Sequence, residues 1–168
     1  MMSICDEILA EFHEELTATR RILDRIPADK LAWKPHEKSM SLGQLAMHIA
    51  SVPGGIVFIT SEDSFNVLKG NFVPPQPKEV AEIHAALEES IRKVEKALKE
   101  GNDESARAQW HLMRGDHEIQ ATPRFKIWRS LMLNHWYHHR GQLSVYLRLL
   151  DIPVPSIYGP TADESPFG

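Results

Sequence analysis

The chain has 168 residues, 42% hydrophobic and 25% charged, with 19 Lys and Arg against 23 Asp and Glu for a net charge of −4. That length and balance suit one domain over residues 1–168, exclude general disorder and lack the basic footprint of a nucleic-acid binder. A single cysteine, Cys5, excludes an intramolecular disulfide and a Cys-based zinc or redox site and fits a reducing, cytoplasmic setting, whereas nine histidines leave a His-based site open.

No signal-peptide pattern is visible: Asp6, Glu7 and Glu11 fall where positive charge and an apolar core are needed. Cys5, Ile8, Leu9, Phe12, Leu16, Leu23 and Ile26 recur at helical spacing and predict a first helix over 4–26, stopped by Pro27. Residues 28–40 hold Pro35 and no period, so they read as a loop from which Trp33 folds back onto the core. Ser41 and Gln44 make a capping-box signature. A second helix therefore starts at Leu42 and runs to about Thr60, bent near Pro53. From Ser39 to Ser61 there is no Asp, Glu, Lys or Arg, a length that raises the question of a membrane span. Pro53-Gly54-Gly55 interrupts the stretch, and Gln44, His48 and Ser51 lie within it. A helix buried on most sides fits better, and no membrane partner is expected.

Ser61–Pro77 reads as a second loop, with Pro74, Pro75 and Pro77. A third helix covers 78–100 on a narrow stripe of Val80, Ile83, Leu87, Ile91, Val94 and Leu98, with Gly101 as its C-terminal cap. Residues 102–123 do not read as a helix. Trp110, Leu112 and Ile119 around Arg114-Gly115-Asp116 suggest a small β-hairpin, the triplet being a solvated turn. Pro123 sits where the last helix can start; it runs over 124–150 and ends before Pro153 and Pro155. Four long helices imply an all-α four-helix bundle.

The last helix carries Asn134-His135-Trp136-Tyr137-His138-His139-Arg140-Gly141-Gln142. At about 100° per residue, His139 lies about 40° to one side of His135 and His138 about 60° to the other. Trp128, Leu131, Met132, Gln142, Tyr146 and Leu149 fall within about 60° of the same direction, and Lys126, Ser130, Arg140, Ser144 and Arg148 lie opposite. This predicts an inward face with the histidines in its middle. Buried imidazoles need partners. Two histidines at i and i+4 on a helix can share one metal ion, and His135 and His139 have that spacing. His135 and His138, one turn apart, are a rival pair. His48, midway along the charge-poor second helix, is the natural third ligand. The competing reading is a metal-free bundle in which the histidines bond to one another or to Tyr146. His36, His84, His111 and His117 read as surface or loop residues, and His13 adjoins the first apolar stripe. No carboxylate falls on the inward faces to act as a general base; His138 and Gln142 are candidates to line the pocket. Cys5 reads as a packed small apolar residue.

Three stretches taken together resemble the DinB / YfiT-like superfamily of small helical metalloproteins: Ser41-Leu42-Gly43-Gln44-Leu45-Ala46-Met47-His48-Ile49-Ala50, Asn134 to Leu143, and Val154 to Glu164. The helical order and Trp33 fit as well, so the likeness covers nearly the whole chain. The resemblance implies an up-down-down-up four-helix bundle that binds a divalent metal through three histidines, here His48, His135 and His139. It selects His139 over His138, because the family ligand directly precedes Arg-Gly-Gln. Three neutral imidazoles leave the ion's charge uncompensated and a position open, the pattern of catalytic sites. A bound water there falls to a pKa of about 7, and a bound thiol becomes a thiolate. The resemblance further implies thiol S-transferases that use low-molecular-weight thiols such as bacillithiol or mycothiol in detoxification. A hydrolase is the other catalytic route, and a non-catalytic metal-binding stress protein the alternative. Zinc and nickel lead as metals, with iron, manganese and copper also open. The expected partners are a small-molecule substrate, a thiol whose sulfur arrives with it, and a second copy of the chain, since family members are often dimers and the second helix is apolar nearly all round.

Overall fold

The sequence places a capping serine before its first apolar stripe, and the computed structural model, which describes residues 2–167, starts a helix there. Helix α1 (Ile4–Leu23) opens on a capping box between Ser3 and Asp6 and buries Cys5, Ile8, Phe12, Leu16 and Thr19. It ends at Leu23 rather than Ile26, yet Ile26 is still buried. The following loop makes a 3-10 turn at Ala28–Lys30. Trp33 packs on the core as expected, edge-on to Tyr146 with ring centroids 5.7 Å apart. Helix α2 (Leu42–Ile59) begins on the predicted Ser41/Gln44 capping box. By length and composition alone it is apolar enough to cross a membrane, with a mean hydropathy of 1.5, but 56% of its residues are buried in the fold. Its apolarity is therefore matched by core contacts of Leu42, Leu45, Ala46, Ile49 and Ala50. Helix α3 (Val80–Glu100) buries the predicted Ile83, Leu87, Ile91, Val94 and Leu98.

Pro53 sits inside α2. A proline has no N–H, so the carbonyl four residues earlier, that of Ile49, loses its helical partner. The indole N–H of Trp136 donates to it instead, at 2.9 Å. Next to it, the Gly54 N–H donates to Ser90 Oγ on α3 at 2.6 Å. A Cβ on Gly54 would lie 2.8 Å from Ser90 Cα, so the close approach of these helices requires glycine. The end of α2 is capped from outside as well. Trp110 Nε1 donates to Ile59 O at 3.1 Å, Arg124 Nε to Thr60 O at 2.9 Å, and Trp128 Nε1 to Thr60 Oγ1 at 2.9 Å. Arg124 also pairs with Asp63 at 2.6 Å.

The chain is mostly helical, but it is not all-α. Strand β1 (Ser64–Asn66) lies in the segment expected to be a plain loop, and a 3-10 turn follows at Val67–Lys69. The predicted hairpin forms as β2 (Gln109–Arg114) and β3 (His117–Pro123), antiparallel, with a bulge between Leu112 and Met113. Gly115, at φ +60°, makes the glycine-first turn that matches strand twist. β1 pairs parallel with β2, so the three-stranded sheet is mixed. β1 was illegible because so short a strand has no room for alternation. A short helix α4 (Asp103–Arg107) also forms where no helix was expected. Asn102 and Ser105 make its capping box, a signal without an apolar run behind it. Gly101 does cap α3, with extended backbone; it is glycine because a Cβ would lie 2.9 Å from Cys5 Sγ.

The last helix is a composite. Helix α5 (Arg124–Ile127) continues as a π-helical stretch (Trp128–Asn134) and then as α6 (His135–Leu149). A π turn holds more residues than an α turn, so a 100° count carried through it loses phase. The expected inward face is corrected before His135 for that reason, and after it because tertiary partners draw Arg140 inward. Leu131 is 39% and Leu149 58% exposed, whereas Arg140, expected to face outward, is 2% exposed. The buried residues of α6 are Trp136, His139, Arg140, Leu143 and Leu147, so His135 sits at the edge of the buried face.

Arg140 ion-pairs with Glu15, donates to Glu15 O at 3.1 Å and Thr19 Oγ1 at 3.2 Å, and bonds the Tyr158 hydroxyl. Its guanidinium lies 5.2 Å from the Tyr137 ring centroid and 5.0 Å from that of Tyr158. The segment after α6 folds back, with Glu164 paired to Arg21 and Arg25 and Asp163 to Arg148.

Glu11 ties α1 to the same helix through Arg129 and through the Tyr137 hydroxyl, which donates to it at 2.8 Å. The Arg129 hydrogen bond holds the Glu11 carboxyl below its ordinary value. Such a group adds stability that is complete above the unfolded value near 4.5 and is lost as pH falls through the lower folded value. Thermal melts between pH 6 and pH 3 should therefore show wild type ahead of Glu11→Gln at the upper end, with the gap closing below 4.5. The pair is partly exposed, so the gap at pH 6 is at most about 1 kcal/mol. A gap that persists unchanged at pH 3 would refute the assignment.

Candidate metal centre

His48 precedes Ile49 on α2, and His135 precedes Trp136 on α6. The Trp136–Ile49 hydrogen bond therefore joins the two helices beside both histidines. One turn on, His139 completes the group. Ring centroids are 4.5 Å apart for His48 and His139, 5.3 Å for His48 and His135, and 4.3 Å for His135 and His139. One nitrogen of each lies within 4.8 Å of the others, and among the described residues no other His, Cys, Asp or Glu cluster is so arranged. The three predicted ligand positions are thus brought together.

Burial keeps these imidazoles neutral. It pushes the His48 pKa down to about 4, with His139 and His135 adding to the effect. Burial likewise lowers the pKa of His135, helped by His138, and that of His139 against an opposing hydrogen bond from Gln142. A neutral imidazole offers a lone pair, as a metal ligand must.

The proton positions favour a cation. His139 Nδ1 lies 2.7 Å from Gln142 Oε1, an acceptor, so the proton sits there and His139 Nε2 carries the lone pair. That lone pair faces His135 Nε2 at 2.7 Å. Without a cation His135 must protonate Nε2, and its buried Nδ1 is left with no hydrogen-bond partner. With a cation accepted by both Nε2 atoms, His135 holds its proton on Nδ1, on the side of the Leu131 backbone carbonyl. The donor set therefore fits a divalent ion. It does not fit the metal-free alternative with Tyr146, whose hydroxyl donates to Met40 O at 3.2 Å.

His138 stays outside the cluster: it is exposed, with its ring 5.0 Å from that of His139. Gln142 does more than line the site, since it orients His139. The remaining histidines are elsewhere. His13 meets Glu95 at 3.0 Å, His84 lies 3.8 Å from Asp24, and His111 meets Glu118 at 2.6 Å. His36 accepts the Lys38 N–H at 3.2 Å, and His117 is exposed on β3. Burial, with Asp103 and Asp6 nearby, pushes the Cys5 thiol up, which keeps it inert. Sequence reasoning missed Trp136 as an interhelical donor. Pro53 within a predicted helix was the available signal, because it marks Ile49 O as an orphan.

Known proteins share the sequence pattern and the fold of this chain. The chain is 25% identical over 173 residues to the uncharacterized protein YrdA of Bacillus subtilis, a match covering 98% of this chain and 93% of that protein. It is 27% identical over 154 residues to the uncharacterized protein YjoA of the same organism, covering 85% and 88%. Its fold matches the crystal structure of a DinB-like protein from Bacillus cereus, with a TM-score of 0.71 at 22% identity, covering 90% of this chain and 95% of that one. The crystal structure of YjoA, itself DinB-like, matches with a TM-score of 0.68 at 18% identity, covering 90% and 96%. The profile of the DinB family fits residues 1–166, a span that includes every element described above and all three clustered histidines, and the chain belongs to that family.

Proposed function

We propose that this DinB-family protein is a divalent-metal-dependent enzyme acting on a small molecule, as a thiol S-transferase or a hydrolase in stress or detoxification chemistry. The observation that carries the reading is the convergence of three neutral imidazoles with no carboxylate in the group. His48, His135 and His139 would hold the ion, zinc or nickel first, with iron, manganese or copper chemically admissible. An ion so held supplies Lewis acidity at an open position, where the pKa of a thiol or water drops toward neutrality. Gln142 keeps the His139 proton on Nδ1 and so holds the ring in its ligating tautomer. The chain's own sulfur, Cys5, is buried and raised in pKa, so a thiol nucleophile arrives with a co-substrate. The reading places the protein in the cytoplasm as a homodimer built on an up-down-down-up helical arrangement, with no nucleic-acid or membrane partner.

The test begins with protein purified without a histidine tag. Elemental analysis should find one divalent ion per chain. Incubation with a low-molecular-weight thiol and monochlorobimane should then show thiol loss at least about ten times faster than in chelator-stripped protein, given what a lowered thiol pKa supplies. Thiol loss indifferent to the metal rejects the transferase. A chelator that lowers the melting temperature of a protein with no turnover on thiol or hydrolytic substrates supports instead a non-catalytic metal-binding stress protein.

A further inference from the structure

We infer that Trp136 is a positioning residue for the histidine cluster: its indole N–H replaces the amide hydrogen that Pro53 lacks, and this bond sets how α2 docks on α6 where His48 meets His135 and His139. The inference rests on the metal-centre reading for its ligand, and on backbone chemistry for its cause. Pro53 leaves Ile49 O without its helical donor. That carbonyl belongs to a fully buried residue, so water is not an available substitute. Trp136 Nε1 fills the vacancy at 2.9 Å. The ring itself is 1% exposed and stacks on Phe12 with centroids 5.2 Å apart. It therefore has one donor, one orientation and one acceptor.

The position of the bond matters more than its existence. Ile49 follows His48 and Trp136 follows His135 in the chain. A donor on the residue after one ligand thus grips the carbonyl of the residue after another. Among the described residues it is the only hydrogen bond from α6 to the backbone of α2. Trp110, Trp128 and Arg124 grip the far end of α2 and leave the level of His48 free. Ser90 holds Gly54 from α3, a different helix. Loss of the indole donor thus releases α2 from α6 at the cluster alone.

The test is a double-mutant cycle between Trp136 and Pro53. Trp136→Phe keeps an aromatic ring on Phe12 and removes the donor. Pro53→Ala returns an N–H to Ile49 O, so the indole is no longer needed. Zinc affinity by competition with a chromophoric chelator should fall about 10-fold in Trp136→Phe, the scale of losing a group that orients ligands. The visible spectrum of the cobalt(II)-loaded protein should shift with it. The metal-free melting temperature should drop by about 4 °C. In the Pro53→Ala background the same Trp136→Phe change should cost less than about 2-fold in affinity and about 1 °C. Equal losses in both backgrounds overturn the inference. So does a lowered melting temperature with unchanged zinc affinity and cobalt spectrum, which would make the indole merely structural. If Trp136→Phe alone does not fold, recovery of folding in Pro53→Ala/Trp136→Phe is the rescue the inference requires, and failure to recover overturns it. Wild-type protein that binds neither zinc nor cobalt defeats the metal-centre reading, and with it the positioning role; the metal-free melts then decide only whether Trp136 and Pro53 are coupled.

Discussion

Arg140→Met should lower the unfolding free energy by about 3–5 kcal/mol, the cost of stranding one half of a buried ion pair. The guanidinium is 2% exposed and its partner carboxylate on Glu15 is 16% exposed. Removal of the cation leaves that carboxylate on α1 without compensation. It also leaves the Tyr158 hydroxyl, pushed up to about 12 by burial and by its bond to Glu15, with no positive neighbour. Urea denaturation measures the effect as a lower midpoint at unchanged slope. A second change should recover part of it: Glu15→Gln in the Arg140→Met background removes the stranded charge. A loss below about 1 kcal/mol for Arg140→Met would mean that the pair behaves as an exposed one.

His48→Ala, His135→Ala and His139→Ala should each weaken zinc binding by at least about 100-fold, because two imidazoles do not make a three-ligand site. His138→Ala should change it by less than about 2-fold, its ring lying outside the cluster. The contrast matters because His135 and His138 are also one turn apart on the helix. Equal losses at His138 and His139 would mean that the wrong helical pair has been assigned. Chelator competition on all four variants gives the comparison directly.

Local chemistry was readable wherever it acts over a few residues. Ser41 and Gln44 announced the start of α2, Gly115 the turn of the hairpin, and the Ile83-to-Leu98 stripe the buried face of α3. His48, His135 and His139 were readable as candidates because helical spacing and an absence of charge need no tertiary knowledge, and the DinB resemblance then chose among them. What escaped depends on partners distant in sequence. β1 exists because β2 lies beside it, 47 residues later at the Ser64–His111 pair. Arg140 looks like a surface residue until Glu15 and Tyr158 are placed against it. Leu131, by contrast, was misplaced by a local cause, the π-helical stretch, which no residue type in Trp128–Asn134 announces.

That stretch has a consequence for how this part of the chain can change over time. Arg124 just before it and Trp128 at its first residue close the end of α2; after it, His135 and His139 face His48. A π turn takes up one residue beyond an α turn and leaves the turns on either side close to their α-helical phase. Loss of one residue there would return the segment to an unbroken α-helix with both duties still aimed as they are. The same loss within α6 would turn everything beyond it by about 100°. An alignment gap inside the stretch between two members of the family would therefore record a change of length that the helix absorbs there.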